Sequence, residues 1–264
     1  MIIGIDMGAS AVKVAAIEGD KVVMTHYEHG RECDVPALCA RLGLDLSAAE
    51  AVAVTGLSAK DAQLGSVGVT PVAVLEPDAI GRGAQWLSGR DNIIVASIGT
   101  GTAFVHANGS TYTHLCGTGV GAGTLSGLAE KVLGITDMKL FDRMAMAGNT
   151  NHVDLTIGDF VEMHGMLSAD ITASNLARRN AAASATAEDW AAGLCTLIYQ
   201  VVGTMSLMAS RGCGAESVVV IGAAADTEPS RANFKRFVDG YGLDYYVPRH
   251  SECATAIGAA RCLL

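Results

Sequence analysis

The chain predicts an α/β fold of two similar lobes facing one another across a cleft, and three features carry that expectation. Its first residues, Met1-Ile-Ile-Gly-Ile-Asp-Met-Gly-Ala-Ser-Ala-Val-Lys13, give an apolar strand that ends in an acid and turns back through small residues to a lysine. Gly4 and Gly8 let backbone approach a ligand, the amides of the turn can point at phosphate oxygens, and Asp6 can face a metal ion or its water shell. Residues 92–109 repeat this order: Ile2-Ile3 match Ile93-Ile94, Gly8 falls near Gly99, and Glu18-Gly19 fall near Asn108-Gly109. A duplicated strand, turn and strand suggests two lobes that each give one turn to the phosphates of a shared ligand. Third, strand and helix patterns alternate along the chain without a low-complexity linker, as in mixed or parallel sheets with helices on their faces. Alone, the N-terminal pattern would fit a common hairpin equally well.

In order, a first hairpin turns at Glu18-Gly-Asp-Lys21, residues 35–44 read as a short helix, and residues 51–55 and 71–75 read as strands. Proline at the first position opens a helix over 77–87. The second half starts at the repeat and continues with helices over 124–133 and 139–147 and a long apolar-striped stretch over 187–210. A strand over 217–221, a helix over 231–240, a strand over 243–247 and a helix over 253–263 complete it. The expected division is 1–90 for the first lobe and 91–264 for the second.

With 264 residues, half of them hydrophobic, the chain has material for two cores. No stretch of about 18 uncharged apolar residues is expected to span a bilayer, and the apolar start carries Asp6 without a basic leader, so a cytoplasmic protein is expected. Seven cysteines, odd in number, scattered and without a Cys-x-x-Cys pair, fit reduced thiols better than disulfides or zinc. A net charge of −9 gives no footprint for nucleic acid, which leaves a small ligand or another protein as the expected partner.

Two further segments bear on chemistry. In Cys116-Gly-Thr-Gly-Val-Gly-Ala-Gly-Thr124, glycine recurs at every second position directly before a helix, so backbone and helix N-terminus can close over an anion or a flat nucleotide; a plain connecting loop would read the same way. Glu76 stands between an apolar strand and Pro77, where a carboxylate can take the proton of an attacking hydroxyl in phosphoryl transfer. An acid at a helix start that merely complements the macrodipole is the competing reading.

These residues resemble type II pantothenate kinases, of the acetate/sugar kinase–Hsp70–actin fold, nearly from end to end. Ile5-Asp-Met-Gly-Ala-Ser-Ala-Val-Lys13, Glu76-Pro-Asp-Ala79, Gly99-Thr-Gly-Thr102, Gly117-Thr-Gly-Val-Gly-Ala-Gly-Thr124, Val153-Asp-Leu155 and Thr172-Ala-Ser-Asn175 follow the family's segments in the same order. The resemblance implies a two-lobed, actin-like ATPase fold of duplicated ribonuclease H-like domains, transfer of the γ-phosphate of ATP to pantothenate in coenzyme A synthesis, and Glu76 as catalytic base. By the same likeness Asp6 would organise Mg2+, with Gly8, Ser10, Lys13, Gly99, Thr100, Gly101 and Thr102 around ATP. Gly121, Gly123, Thr124 and Leu125 would hold its phosphates, Gly222 and Ala224 would approach the adenosine, and His114, Gly117 and Thr172 would face the acceptor. A homodimer through long helices is implied too, although the 187–210 stripe is equally a core helix.

The chain departs from the family where an arginine contacting the acceptor and the transferred phosphate is replaced by His114, and where glycines are replaced by Ala9, Leu57 and Ala122. A serine usual in the adenosine turn is alanine at Ala223 or Ala224, and an aromatic expected near Met138 is missing. A related hydroxyl acceptor therefore stays open. So do a nucleotide- or coenzyme A-binding sensor without chemistry, a sugar kinase, and an iron–sulfur ATPase activator, for which Cys116 is the sole hint.

Overall fold

The computed structural model describes the chain apart from residues 31, 162–168, 170, 181 and 182. The first five strands are β1 (Ile2–Met7), β2 (Ala11–Glu18), β3 (Lys21–His29), β4 (Ala51–Thr55) and β5 (Val72–Ala73), and they form one sheet in the order β3-β2-β1-β4-β5. A second sheet is built from β6 (Ile93–Ile98), β7 (Thr102–Asn108), β8 (Thr111–Thr118), β11 (Ser217–Ile221) and β12 (Asp244–Tyr246), in the order β8-β7-β6-β11-β12. Each sheet is an antiparallel meander of three strands extended by two parallel strands beside its first one. The sequence repeat is therefore a repeat of topology. It extends to detail: both first hairpins turn through a left-handed glycine, Gly19 at φ 55° and Gly109 at φ 57°, and both third strands carry one unpaired residue, Val23 and Leu115.

The central strands are apolar because they are covered on both faces. Every residue of β1 is buried, and all of β6 except Ser97. On one side of the second sheet lie α3 (Ala122–Leu133), α4 (Met138–Ala147), α5 (Ala187–Cys213) and α6 (Glu228–Tyr241), around Phe104, Phe141, Tyr199 and Phe234. The first sheet packs α1 (Val35–Arg41) against Ile3, Ile5 and Val12. A short pair, β9 (Leu155–Thr156) and β10 (Thr172–Ser174), joins α4 to α5.

Between the two sheets lie α2 (Glu76–Ser88) and α7 (Ala254–Arg261). The helix α2 packs on the second sheet through Ile80 and Ala84, whereas α7 packs on the first through Ala256, Ile257 and Ala260. The C-terminal helix of the expected 91–264 unit thus packs on the sheet of the first. Its small residues are the reason. A Cβ on Gly258 would stand 1.8 Å from the Ala79 carbonyl oxygen, and one on Gly83 2.1 Å from that of Ala254, so the two helices touch backbone to backbone.

The sequence expectation also passed over Trp190–Ser210, which carries no charge. Helix α5 is long and apolar enough to cross a bilayer, but 67% of its most apolar window is buried inside the protein, so its apolarity is accounted for by the core. At its start, the Asp189 carboxylate accepts hydrogen bonds from the Asn149 and Thr186 amides at 2.7 and 3.0 Å and meets the His152 ring at 2.9 Å. Burial alone would raise this carboxyl, but those partners outweigh it and hold it at about 2. A depressed carboxyl stabilises the fold above its unfolded value near 3.8, and that stability is lost as pH falls through about 2. Asp189→Asn should therefore cost about 2 kcal/mol at pH 6 in urea unfolding, with the deficit shrinking as pH falls from about 5 towards 2. A deficit independent of pH would show that the charge is not what holds the helix start.

Candidate active site

The cleft between the lobes has a volume of about 710 Å³. Its floor is made by the turns that follow β1 and β6. In the first turn the Gly8 amide donates to the Ala11 carbonyl at 3.0 Å, and in the second Gly99, Thr100 and Gly101 line the cleft. The Ser10 and Thr100 hydroxyls meet at 2.8 Å, so the two turns, 90 residues apart, form one surface.

Asp6 is 4% exposed at the end of β1, and its Oδ2 accepts from Lys13 Nζ at 2.9 Å. Burial would lower the lysine pKa, but the charge of Asp6 and the hydrogen bond to it overcome that and leave it raised, so Lys13 stays a cation in the cleft. The register of β2 on β3 sets Tyr27 opposite Lys13, whose ammonium lies 5.9 Å from the ring centroid.

Glu76 is the first residue of α2, after Leu75. Its carboxylate lines the cleft and makes no hydrogen bond within the protein among the described residues. Burial raises its pKa above the ordinary glutamate value and the charge of Asp6 adds to this, while Lys13 and His114 oppose it. The helix-start position that would suit a structural acid is thus combined with a place in the cleft. His114, exposed on β8 beside the unpaired Leu115, lines the same wall.

The Gly-rich segment packs on the second turn. The Ala122 and Gly123 amides, at the start of α3, donate to the Gly99 and Thr100 carbonyls at 2.8 and 3.1 Å, so these two are committed to the second turn rather than offered to an anion. A Cβ on Gly121 would lie 2.5 Å from the Gly101 carbonyl oxygen, and one on Gly123 2.7 Å from the Thr100 methyl. These glycines are needed for loop against loop. Thr124 Oγ1 donates to the Gly119 carbonyl, and Thr102 Oγ1 to that of Val120, so both hydroxyls fasten the same loop. Gly123 and Leu125 line the cleft together with Gly222 and Ala224. Gly222 has φ 102°, and a Cβ there would stand 2.3 Å from the Ile98 carbonyl oxygen.

Two expected acceptor residues lie apart from the cleft lining. Gly117 pairs with Ala103 within the sheet. Thr172 is 6% exposed on β10, where its hydroxyl donates to Asp154 Oδ2 at 2.9 Å and its carbonyl accepts from Gln200, so it ties β10 to its neighbours. In their place the cleft is lined by residues that the sequence did not single out: Tyr27, His29, Asp142, Tyr199, Glu252 and Thr255.

The fold is shared with proteins solved with ADPNP or AMPPNP. The activator of 2-hydroxyisocaproyl-CoA dehydratase from Clostridium difficile, with bound ADPNP, superposes with a TM-score of 0.66 at 17% identity over 98% of this chain and 92% of that one. A ROK family glucokinase from Streptomyces griseus, in complex with glucose and AMPPNP, gives 0.58 at 17% identity over 99% and 98%. The two-lobed, actin-like architecture expected from the sequence is the one found. Among protein families, the model described as Fumble matches residues 92–259, more than half of the chain. The chain belongs to the Fumble family.

Curated relatives similar to this Fumble chain are named type II pantothenate kinase. That of Staphylococcus saprophyticus is 26% identical over 173 residues, 64% of this chain and 65% of that protein. That of Staphylococcus aureus (strain USA300) is 28% identical over 173 residues, 63% and 64%. The chain thus aligns with under two thirds of the length of these relatives. The Fumble match begins at β6, so the first turn with Asp6 and Lys13 and the whole of α2 lie outside it.

Proposed function

We propose that this Fumble protein is a kinase that transfers the γ-phosphoryl group of ATP to the primary hydroxyl of pantothenate. The observation that carries the reading is the carboxylate of Glu76, without a hydrogen-bond partner among the described residues, in a cleft whose floor is the joined pair of turns at Ser10 and Thr100. Glu76 accepts the proton of the acceptor hydroxyl as its oxygen bonds to phosphorus and the bond from the γ-phosphorus to the bridging oxygen breaks. Lys13 and the polar groups of the two turns steady the phosphate oxygens through that step.

The residues around Asp6 fit Mg2+. The donors are oxygens, Asp6 is close to fully buried, and the neighbouring Thr55 has a buried hydroxyl without a hydrogen-bond partner among the described residues. Among the described residues no group of three or more His, Cys, Asp or Glu could hold a metal, so Asp6 would hold the ion with waters and phosphate oxygens as the other ligands. The ion would supply neutralisation of phosphate charge.

Purified protein should consume ATP with pantothenate and yield a phosphorylated acceptor, measured beside pantetheine, pantoate and simple sugars; turnover with sugars alone would overturn the acceptor. His114→Arg should raise turnover with pantothenate roughly tenfold, the worth of one added charge-assisted hydrogen bond of about 1.4 kcal/mol. Turnover left unchanged or lowered would remove His114 from the arginine's place. A cytoplasmic homodimer remains part of the proposal. Since much of α5 is core, the exposed Met208 side of that helix is the face available for pairing, and light scattering would read the mass.

A further inference from the structure

One wall of the cleft comes entirely from the second lobe: Ser126 of α3, Met138 and Asp142 of α4, Tyr199 of α5, and the turn of Gly222–Ala224 leading to Thr227. Its side-chain hydrogen-bonding groups are almost all committed. The Tyr199 hydroxyl donates to the Ala224 carbonyl at 3.1 Å and meets Thr227 Oγ1 at 3.3 Å. Thr227 Oγ1 in turn accepts from the Ser230 amide, and the Ser126 hydroxyl donates to the Gly123 carbonyl. Met138, Ala223 and Ala224 offer no polar side-chain atom that donates or accepts strongly. Asp142 is the exception. It is half-buried, lines the wall, and makes no hydrogen bond within the protein among the described residues.

We infer that Asp142 accepts a hydrogen bond from the exocyclic amine of the nucleotide base, and so favours adenine over 6-oxopurines. The inference rests on reading this wall as the base subsite of the proposed kinase. An ionised carboxylate has acceptors only, so it rewards an amine placed against it and repels a carbonyl oxygen in the same position. Burial first, and the charge of Glu228 second, push the Asp142 carboxyl above its ordinary value, the direction in which a buried carboxylate without a donor is disfavoured. A donor from the base would relieve that cost. Sequence pattern gave no sign of this role, because Asp142 stands in an ordinary amphipathic helix.

Calorimetry with magnesium and ATP, ITP or purine riboside triphosphate tests the inference on the whole chain. The native protein should bind ATP more tightly than ITP, which carries a carbonyl where ATP carries the amine. Asp142→Asn keeps the shape and adds an N–H donor, and should shrink the ATP to ITP ratio by roughly tenfold. Asp142→Ala should weaken ATP by a similar factor yet leave purine riboside triphosphate, which lacks the amine, nearly unchanged. ATP binding with the same ATP to ITP ratio in all three proteins would overturn the role of Asp142 and leave the cleft reading intact. A native protein that binds none of the three nucleotides would overturn the cleft reading itself, and this inference with it.

Discussion

Glu76→Gln should lower turnover by roughly 100-fold or more while leaving the affinity for magnesium-ATP near that of the native protein. The amide keeps the size and the helix-start position but cannot take a proton, so it removes an interaction made only as the hydroxyl attacks. Glu76 has a raised pKa, so the acid limb of kcat/KM should lie above the ordinary glutamate value of 4.5, and the variant's residual rate should lose that limb. Stability should move the other way. A carboxyl whose folded pKa is raised binds its proton more tightly when folded, so the ionised form costs stability at neutral pH and the protonated form does not. Glu76→Gln should accordingly melt slightly higher than the native protein at pH 7, with the difference vanishing near pH 4. A variant that loses nucleotide binding in step with turnover, or that melts lower at pH 7, would return Glu76 to the role of a helix-terminus acid.

The duplication could be read before any coordinates because it lives in local pattern: two apolar strands, two small-residue turns, two glycine-closed hairpins. The two small-residue turns that meet at Ser10 and Thr100 could be read for the same reason. What escaped was everything that depends on register or on long-range packing. Pairing Glu18 with Lys21 and continuing without a break would set Lys13 opposite His26; the unpaired Val23 shifts the ladder by one and brings Tyr27 there instead. A slip of one residue exchanges the faces of a strand, so Tyr27 and His29 could not be assigned to the cleft from alternation alone. The alternating glycines before α3 were legible as a need for backbone approach, but what approaches is the second turn, a partner some 20 residues back in the chain. Thr172 was picked out by a segment match, and its hydroxyl turned out to serve Asp154. The return of α7 to the first lobe left no mark beyond a run of small residues.

That return carries the second large expectation. Gly258→Ala should destabilise the protein by about 3 kcal/mol or more, because the new methyl would stand 1.8 Å from the Ala79 carbonyl oxygen and 2.7 Å from the Gly83 amide nitrogen. Both obstacles are backbone, so no side chain can swing aside and the helices must part. For a chain of this size that corresponds to a fall in Tm of roughly 6–12 °C. Gly240→Ala is the matched control, since it lies in α6 with nothing within 4 Å of the added methyl and should leave Tm unchanged or slightly raised. The consequence reaches the chemistry through α2, which touches α7 at Gly83 and Ala79 and begins with Glu76. At temperatures where the Gly258→Ala protein is still folded, turnover should fall by more than nucleotide affinity, since α2 moves away while the turns at Ser10 and Thr100 keep their own sheets. A Gly258→Ala protein with native Tm would mean that α2 and α7 do not meet at backbone distance, and that something other than this helix pair holds Glu76 in the cleft.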